Sequence, residues 1–178
     1  AMREMGEQFV LGRTIEEAVR RGAAMTRKGY LYSFDMLGEA PRTEKDALRY
    51  LKAYSDAISS LDSGSNGPDI RLNHGISVKL SALHPRYEIL QKETMLPVMS
   101  ERLLSLALQA AHARMGLNVD AEEADRLDIS LDVVEQVLAD PRLAEWEGFG
   151  VVVQAYGPRA FHVIDWLYAL AKKLDRKI

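Results

Sequence analysis

Four polar side chains occupy corresponding positions in the chain, each near the end of a short apolar segment: Asp35, Lys79, Asp120 and Gln154. The ends of parallel strands meet at one edge of a sheet, so we expect these four side chains to converge. A lysine, two carboxylates and an amide in one place would form a ligand site with internal charge compensation. The alternative is that Lys79 and Asp120 form only a structural ion pair, but four matching positions favour a ligand site.

Lys79 lies in the segment that is most informative about its surroundings, residues 75–87 (GISVKLSALHPRY). Apolar residues alternate with polar ones there, at Ile76, Val78 and Leu80. This alternation predicts a strand with one apolar and one polar face that ends one or two residues after Lys79. Desolvating an ammonium group is costly unless an anion lies beside it. The pattern therefore predicts an anionic partner for Lys79.

The hydrophobic pattern predicts one leading helix followed by four strand–helix pairs. The predicted helices cover residues 9–28, 43–61, 94–115 and 127–138 and the region after Pro158, where Phe161, Ile164 and Tyr168 share one side. The predicted strands cover residues 30–37, 76–81, 117–121 and 150–156. Alternating pairs of this kind imply a parallel sheet with right-handed crossovers. Two architectures fit: a small doubly wound sheet, or part of a (β/α)8 barrel.

The composition excludes several classes of protein and site. The 178 residues carry a formal net charge of −3 with scattered basic residues, so nucleic-acid binding is not predicted. The absence of cysteine excludes disulfides, thiolate metal sites and a cysteine nucleophile. No apolar run approaches the ~18 residues of a transmembrane helix, and no dinucleotide-binding or P-loop glycine motif occurs. We therefore expect a cytoplasmic protein.

Three weaker candidate sites are interpreted as ordinary structure. The acidic run from Asp120 to Asp125 invites a Mg²⁺ site, but its latter part is expected at a solvated helix start, where acids favour the helix dipole. The four histidines lack metal-ligand spacing, so no metal site is predicted. Ser81 has no His–Asp partner pattern, which makes a serine nucleophile a poor interpretation.

Four collinear motifs resemble the proline dehydrogenase domain of the bacterial proline utilization A (PutA) flavoenzymes: SFDMLGEA (33–40), ISVKLSALHPRYE (76–88), NVDAEEADRLDISLD (118–132) and GVVVQAY (150–156). The resemblance runs from Phe9 to the last residue. It implies a distorted (β/α)8 barrel that binds FAD non-covalently and oxidises L-proline to Δ1-pyrroline-5-carboxylate. In that family a hydride passes from proline to the flavin N5, and the reduced flavin passes electrons to membrane quinone.

The resemblance also implies roles for individual residues. Lys79 matches the family lysine that helps bind the proline carboxylate, which would supply its anionic partner. Asp120 matches the active-site aspartate beside the flavin, and Asp35 and Met36 match first-strand residues near the substrate pocket. Cofactor contacts are implied at four positions: Ala121, Val153, Gln154 and Ala155.

The resemblance covers only part of the family domain. It divides the chain into a leading helical segment, residues 1–28, and the N-terminal half of the barrel, residues 29–178. The chain stops at Ile178, before the family arginines that contact the flavin and clamp the substrate carboxylate, and it has no DNA-binding or aldehyde dehydrogenase module. The expected fold class is therefore α/β, a partial (β/α)8 barrel of about four βα units preceded by a helix.

A half-barrel leads to further expectations. Its two unpaired edge strands would promote self-association. One alternative to the dehydrogenase is a catalytically inactive fragment or association module, and a second is a Schiff-base lyase that uses Lys79. The family resemblance implies that the full-length protein is cytoplasmic and peripheral on the inner membrane.

Overall fold

Strands and helices alternate along the computed structural model, which describes residues 10–38, 40–64 and 67–178. The helices are α1 (Ile15–Thr26), α2 (Glu44–Asp62), α3 (Lys92–His112), α4 (Leu127–Leu138) and α5 (Ala160–Leu174). The strands are β1 (Ser33–Asp35), β2 (Gly75–Val78), β3 (Leu117–Val119) and β4 (Phe149–Val151). Within the described residues they form one parallel sheet in the order β1-β2-β3-β4. The predicted order of one helix followed by four strand–helix pairs is confirmed.

Each strand contributes one residue to a buried row that crosses the sheet: Phe34, Ile76, Leu117 and Phe149. This row belongs to the core that the helices cover. Because side chains alternate along a strand, the next row points to the opposite face of the sheet. That second row consists of polar or small residues: Asp35, Ser77, Asn118 and Gly150. The sheet therefore separates a hydrophobic core from a polar face.

Helix α2 shows how local sequence signals and packing agree. Its cap residue, Thr43, accepts a hydrogen bond from the Asp46 N–H, as the sequence predicts. Its buried side chains recur at helical spacing and face the core: Ala47, Tyr54, Ile58 and Leu61. Helix α4 begins and ends at the predicted residues, because its apolar positions keep the same period throughout.

The strands are shorter than the sequence pattern predicts. β1 has three residues rather than the predicted 30–37, β3 ends at Val119, and β4 ends at Val151. Tyr30 and Leu31 lie before β1 and are 59% and 43% exposed. These aromatic and apolar residues therefore belong neither to the strand nor to the core. Among the described residues β1 and β4 each have a neighbour on one side only. β4 stops level with the end of β3, and β1 stops one residue before the end of β2.

Helices α1 and α3 also differ from prediction at both ends, and they end at Thr26 and His112 rather than at residues 28 and 115. Helix α3 follows directly on a 3-10 turn, Ile89–Gln91, and begins at Lys92 rather than at residue 94, so Pro97 lies inside the helix. Helix α1 starts at Ile15, and the predicted start at Phe9 lies outside the described residues. None of the described helices is long and apolar enough to span a membrane.

Helix α5 leaves an apolar side uncovered. Phe161, Ile164 and Tyr168 are 81%, 51% and 63% exposed. Val163 and Leu170, on the other side of the helix, are buried against the sheet and helix core. The three residues predicted to share one side therefore face away from the core. We call them the α5 apolar face.

Candidate active site

The Lys79 ammonium group lies between two carboxylates at the C-terminal end of the sheet. Its Nζ is 2.6 Å from each carboxylate oxygen of Asp35 and 3.1 Å from Oδ2 of Asp120. The side chains of Lys79, Asp120 and Asp35 are 16%, 26% and 43% exposed, so the group opens to solvent on the Asp35 side. The anionic partners that the sequence pattern requires for Lys79 thus come from this chain. We call these three residues the Lys79 triad.

The two carboxylates keep Lys79 charged. Burial by itself would lower the pKa of the lysine, but the hydrogen bonds from Lys79 to Asp35 and then to Asp120 outweigh it and raise that pKa above its ordinary value. A lysine that forms a Schiff base must instead be available as a neutral amine, which requires a lowered pKa. The electrostatics of the triad therefore count against the lyase alternative and suit a fixed cationic binding group.

The four polar residues predicted at matching strand positions do not lie at the same level of the sheet. Asp35 pairs with Ser77, two residues before Lys79. Lys79 and Asp120 directly follow the last paired residues of β2 and β3, so these two are level with each other. Gln154 lies three residues beyond the end of β4. The prediction of four matching positions is therefore wrong in register, because alternation along single strands does not reveal how neighbouring strands are shifted.

Lys79 is the first residue after β2, so the prediction that it lies inside the strand is also wrong. It begins a 3-10 turn, Leu80–Ala82, and its carbonyl accepts a hydrogen bond from the Ala82 N–H at 3.1 Å. Its own N–H donates to the hydroxyl of Tyr54, a buried residue of α2, at 3.2 Å. The turn holds the lysine at the end of the sheet, where its side chain reaches the ends of both neighbouring strands.

Glu122 belongs to the framework of this site, although the acidic run does not indicate it. Its Oε2 accepts a hydrogen bond from the Ser81 N–H at 3.0 Å, which joins the loop after β3 to the turn after β2. Burial raises the pKa of Glu122, and the hydrogen bonds from Ser81 only partly offset this effect. The sequence offers one weak signal: Glu122 follows Asp120 by two residues, the spacing of side chains on the same side of an extended segment.

The predicted cofactor residues lie in the loops after β3 and β4. The Ala121 N–H donates to the carboxylate of the preceding residue at 3.0 Å. The Gln154 Nε2 donates to the Glu122 carbonyl at 3.2 Å, and a turn closes behind it where the Gly157 N–H donates to the Gln154 carbonyl. Val153 is half-buried and Ala155 is exposed. The structure brings all four to one region, and their contact with a cofactor stays a prediction.

A small cavity lies between these loops and helices α4 and α5. Its volume is about 150 Å³, and its lining includes three predicted cofactor residues, Ala121, Val153 and Gln154. Pockets that enclose drug-sized ligands begin at roughly 300 Å³. A whole dinucleotide cofactor therefore cannot be enclosed here.

Gly150 keeps that polar face open. An added Cβ at this position would lie 2.0 Å from Oδ1 of Asn118, whose Nδ2 in turn donates to Ser33 Oγ at 3.3 Å. Neither Asn118 nor Gly150 was predicted to have a functional role.

Met36, predicted near the substrate, is partly buried and packs against the hydrophobic core. Across the ranges that the structure describes, no group of three or more His, Cys, Asp or Glu side chains could hold a metal ion.

The fold and the triad first define a class: an α/β sheet of barrel type with a charged site at the C-terminal ends of its strands. Comparison with known families gives a narrower result. A family model described as proline dehydrogenase matches residues 18–178. The chain belongs to the proline dehydrogenase family, and the resemblance seen in its motifs is confirmed.

Curated relatives agree with the family model. Over 178 residues the chain is 49% identical to the bifunctional protein PutA of Klebsiella aerogenes and covers 14% of that protein. It is 48% identical to the bifunctional protein PutA of Escherichia coli, again covering 14% of it. Proline dehydrogenase 1 of Bacillus subtilis is 29% identical over 153 residues, which are 86% of this chain and 45% of that protein. The chain thus spans a small part of the length of its PutA relatives.

Solved structures confirm the predicted partial barrel. A mutant of Bradyrhizobium japonicum PutA matches with a TM-score of 0.86 at 49% identity, over 99% of this chain and 18% of that one. PutA from Bdellovibrio bacteriovorus inactivated by N-propargylglycine matches with a TM-score of 0.90 at 21% identity, over 98% of this chain and 19% of that one. The second match, at its lower identity, shows the fold alone.

Proposed function

We propose that this chain takes part in the oxidation of L-proline to Δ1-pyrroline-5-carboxylate in proline catabolism, as part of an FAD-dependent proline dehydrogenase. Family membership and the PutA relatives support the proposal. The observation that carries it is the Lys79 triad, a charged ammonium group held at the ends of the strands. Barrel enzymes bind their substrates at that end of the sheet.

The triad suits a substrate that carries both signs of charge. L-proline at neutral pH has a carboxylate and a secondary ammonium group. Lys79 has three N–H donors, and it would bind the substrate carboxylate by turning at least one of them away from Asp35 or Asp120. The carboxylate oxygen released in this way would accept a hydrogen bond from the substrate ammonium. This exchange of partners leaves each charge paired, which avoids the cost of a buried, unpaired ion.

The chemistry requires a binding site that orients the substrate ring. Oxidation breaks a C–H bond on the carbon next to nitrogen, a proton leaves the nitrogen, and a C=N bond forms. FAD, when bound, accepts the hydride. The role of this chain in that reaction is to bind the carboxylate through Lys79 and to hold Lys79 in place through Asp35 and Asp120. Fixing the carboxylate at one end of the ring sets the position of the reacting carbon.

The surface beside the triad suits a flavin. Val152 is 41% exposed next to the loop that carries Gln154, and Gly150 adds no side chain to this face. An apolar surface bordered by an amide and a carboxylate fits a flat ring with polar edges. The Gln154 Nε2 is already engaged, while no donor among the described residues meets its side-chain oxygen, which leaves an acceptor for a ring N–H. In this proposal FAD would be held by the four predicted residues: Ala121, Val153, Gln154 and Ala155.

The remaining parts of the proposal follow from the family resemblance. Quinone is the electron acceptor of the reduced flavin, and the native protein that contains this chain is cytoplasmic and peripheral on the inner membrane. Residues 29–178 contribute the N-terminal half of the barrel, and helix α1 precedes it.

The test is a visible absorption spectrum of the native protein that contains this chain, recorded with FAD and then without oxygen after addition of L-proline. We expect a bound flavin band that bleaches with L-proline. D-proline, which has the same charges but the opposite configuration at the α-carbon that bears the carboxylate, is the control and should bleach it far less. A bound flavin that stays oxidised in the presence of L-proline would contradict the proposal.

A second candidate function, self-association, is supported by the α5 apolar face and by the free edge of β4. Sedimentation equilibrium of the 178-residue chain should then give a mass above that of one copy. Phe161→Ser, on this face, should lower the mass. Tyr30→Ser, which removes an aromatic side chain that is 59% exposed elsewhere, should leave it unchanged. A single-copy mass for the unmodified chain would rule this candidate out.

A further inference from the structure

A tyrosine of the helical core contacts the backbone of the site lysine. Tyr54 lies in α2, where it is 1% exposed, and its position in the apolar repeat of that helix is that of a packing residue. Its hydroxyl oxygen nevertheless accepts a hydrogen bond from the N–H of Lys79 at 3.2 Å. A packing role alone would be served equally well by phenylalanine. The hydroxyl therefore calls for a separate explanation.

The pairing of β1 with β2 shows why a side chain is needed at this point. At the start of β2 the Gly75 N–H donates to the Tyr32 carbonyl at 2.8 Å. In a parallel ladder every second N–H of a strand points to the same neighbour, so the Lys79 N–H, four residues on, points toward the β1 side. β1 ends at Asp35, and the Lys79 N–H bonds Tyr54 instead of a strand carbonyl. The phenol thus replaces the backbone acceptor at the residue where the site begins.

We propose that Tyr54 is a positioning residue for the proposed reaction, which fixes the backbone of Lys79 and thereby aims its ammonium group at the substrate carboxylate. The inference rests on the proposed function of Lys79. Without the phenol oxygen, the Lys79 N–H would lose its acceptor close to the protein core, and a buried donor without an acceptor is destabilising. The start of the turn would then shift until that N–H found another partner.

Two further side chains hold the same turn, but at points farther from the lysine. Glu122 accepts from the Ser81 N–H, and the buried Arg102 donates to the Leu83 carbonyl at 2.6 Å. Tyr54 is the one of these three that bonds the lysine residue itself. Burial raises the pKa of Tyr54 to about 12, so its hydroxyl stays neutral and this contact persists across physiological pH.

The test compares Tyr54→Phe with unmodified protein, using the native protein that contains this chain with its flavin bound. A typical hydrogen bond contributes enough to change an equilibrium by about three- to tenfold, so we expect KM for L-proline to rise by about that factor. We expect kcat to change by less than about twofold, because the lost contact weakens substrate binding rather than the hydride transfer. A general loss of stability would not raise KM while leaving kcat nearly unchanged.

Tyr87→Phe is the matched control. Tyr87 is also buried, and its hydroxyl does not bond the turn that carries Lys79; the side chain beside it is Ser130 of α4. Removing that hydroxyl should leave KM unchanged. An equal rise of KM in both variants would overturn the inference, since the effect would then follow from losing any buried hydroxyl. An unchanged KM in Tyr54→Phe would overturn it as well.

Hydrogen exchange provides a second measurement that does not depend on activity. We expect the Lys79 amide to exchange at least about tenfold faster in Tyr54→Phe, while the amides inside β2 keep their protection. Unchanged exchange at Lys79 would contradict the contact itself. If L-proline does not reduce the flavin of unmodified protein, the proposed function fails, and the exchange result still decides whether Tyr54 fixes Lys79.

Discussion

The ends of β2 and β3 are joined by charged side chains, whereas the segment after β4 is joined to the loop after β3 through carbonyl acceptors. The turn after β2 and the loop after β3 are joined by Lys79, which bonds Asp35 and Asp120, and by Glu122, which bonds Ser81. The segment after β4 is linked to the loop after β3 by side-chain bonds to two carbonyls, from Gln154 to Glu122 and from Arg159 to Ala124. The difference teaches that the Lys79 triad is assembled from the ends of three strands of this chain. The part assigned to the cofactor is an open surface.

The largest effect is expected from removing the ammonium group of the Lys79 triad. Lys79→Met keeps much of the side-chain bulk and removes the ammonium group. A hydrogen bond to a charged group contributes about 1.5–3 kcal/mol, and two unpaired carboxylates would then repel the substrate carboxylate, so KM for L-proline should rise on the order of a hundredfold. Steady-state kinetics of the native protein that contains this chain measures the change.

The control for this variant is Lys52→Met. Lys52 is an exposed lysine that pairs with Asp56 on the same helix. It should leave KM unchanged, because an exposed ion pair contributes little and lies on the surface of α2. If the Lys79→Met protein keeps the KM of the unmodified enzyme, the Lys79 triad does not bind the substrate.

A smaller effect is expected where β4 meets β3. In Gly150→Ala the new Cβ would lie 2.0 Å from Asn118 Oδ1, so one side chain must move. Overpacking of this kind costs about 1–3 kcal/mol in the free energy of unfolding, which denaturant titration measures. Gly64→Ala is the control, since among the described residues its Cβ would meet Leu61 O at an ordinary 3.6 Å. Equal stability of the two variants would mean that β4 is loose enough to absorb the clash.

The smallest expected effect is a change in how stability depends on pH. It concerns His74, which directly precedes β2 at the end opposite Lys79. His74 Nδ1 accepts a hydrogen bond from the Tyr32 N–H at 3.1 Å, and burial lowers the pKa of His74 below its usual 6.5. Above pH 6.5 the imidazole is neutral in both folded and unfolded protein. As pH falls below that value the unfolded protein binds the proton first, so the free energy of unfolding decreases until pH passes the lowered folded pKa.

His74→Asn isolates this contribution. Asparagine does not titrate, and its side-chain oxygen can still accept from Tyr32. Denaturant titrations at about pH 7.5 and about pH 5.5 should show a smaller loss of stability in the variant than in unmodified protein. Burial also lowers the pKa of His84, but His84 is present in both proteins, so its effect cancels in the comparison. An identical loss in both would contradict the assignment to His74.

Much of the fold could be predicted because it rests on local patterns. The apolar period of α4 and the capping threonine of α2 are both local signals, and both agree with the structure. Strand register could not be predicted, since it depends on pairing between segments far apart in sequence. This is why Lys79 was placed inside a strand and Asp35 at the level of Asp120.

The candidate site was predicted in part, for a related reason. Asp35, Lys79 and Asp120 differ in type from the apolar residues around them, so each could be recognised singly. Glu122 and Tyr54 could not, because an acid in an acidic run and an aromatic residue in a helical repeat have the composition of ordinary surface and core. Their roles depend on long-range hydrogen bonds to Ser81 and Lys79, which no local pattern records.

The central claim is that Lys79 binds the carboxylate of an amino acid substrate. Anaerobic flavin reduction tests it most directly when L-proline is compared with pyrrolidine, which has the same ring without the carboxylate. Unmodified protein should be reduced far faster by L-proline than by pyrrolidine at equal low concentration, and Lys79→Met should lose most of that preference. If Lys79→Met keeps the full preference for L-proline, the carboxylate is bound elsewhere and the claim is wrong.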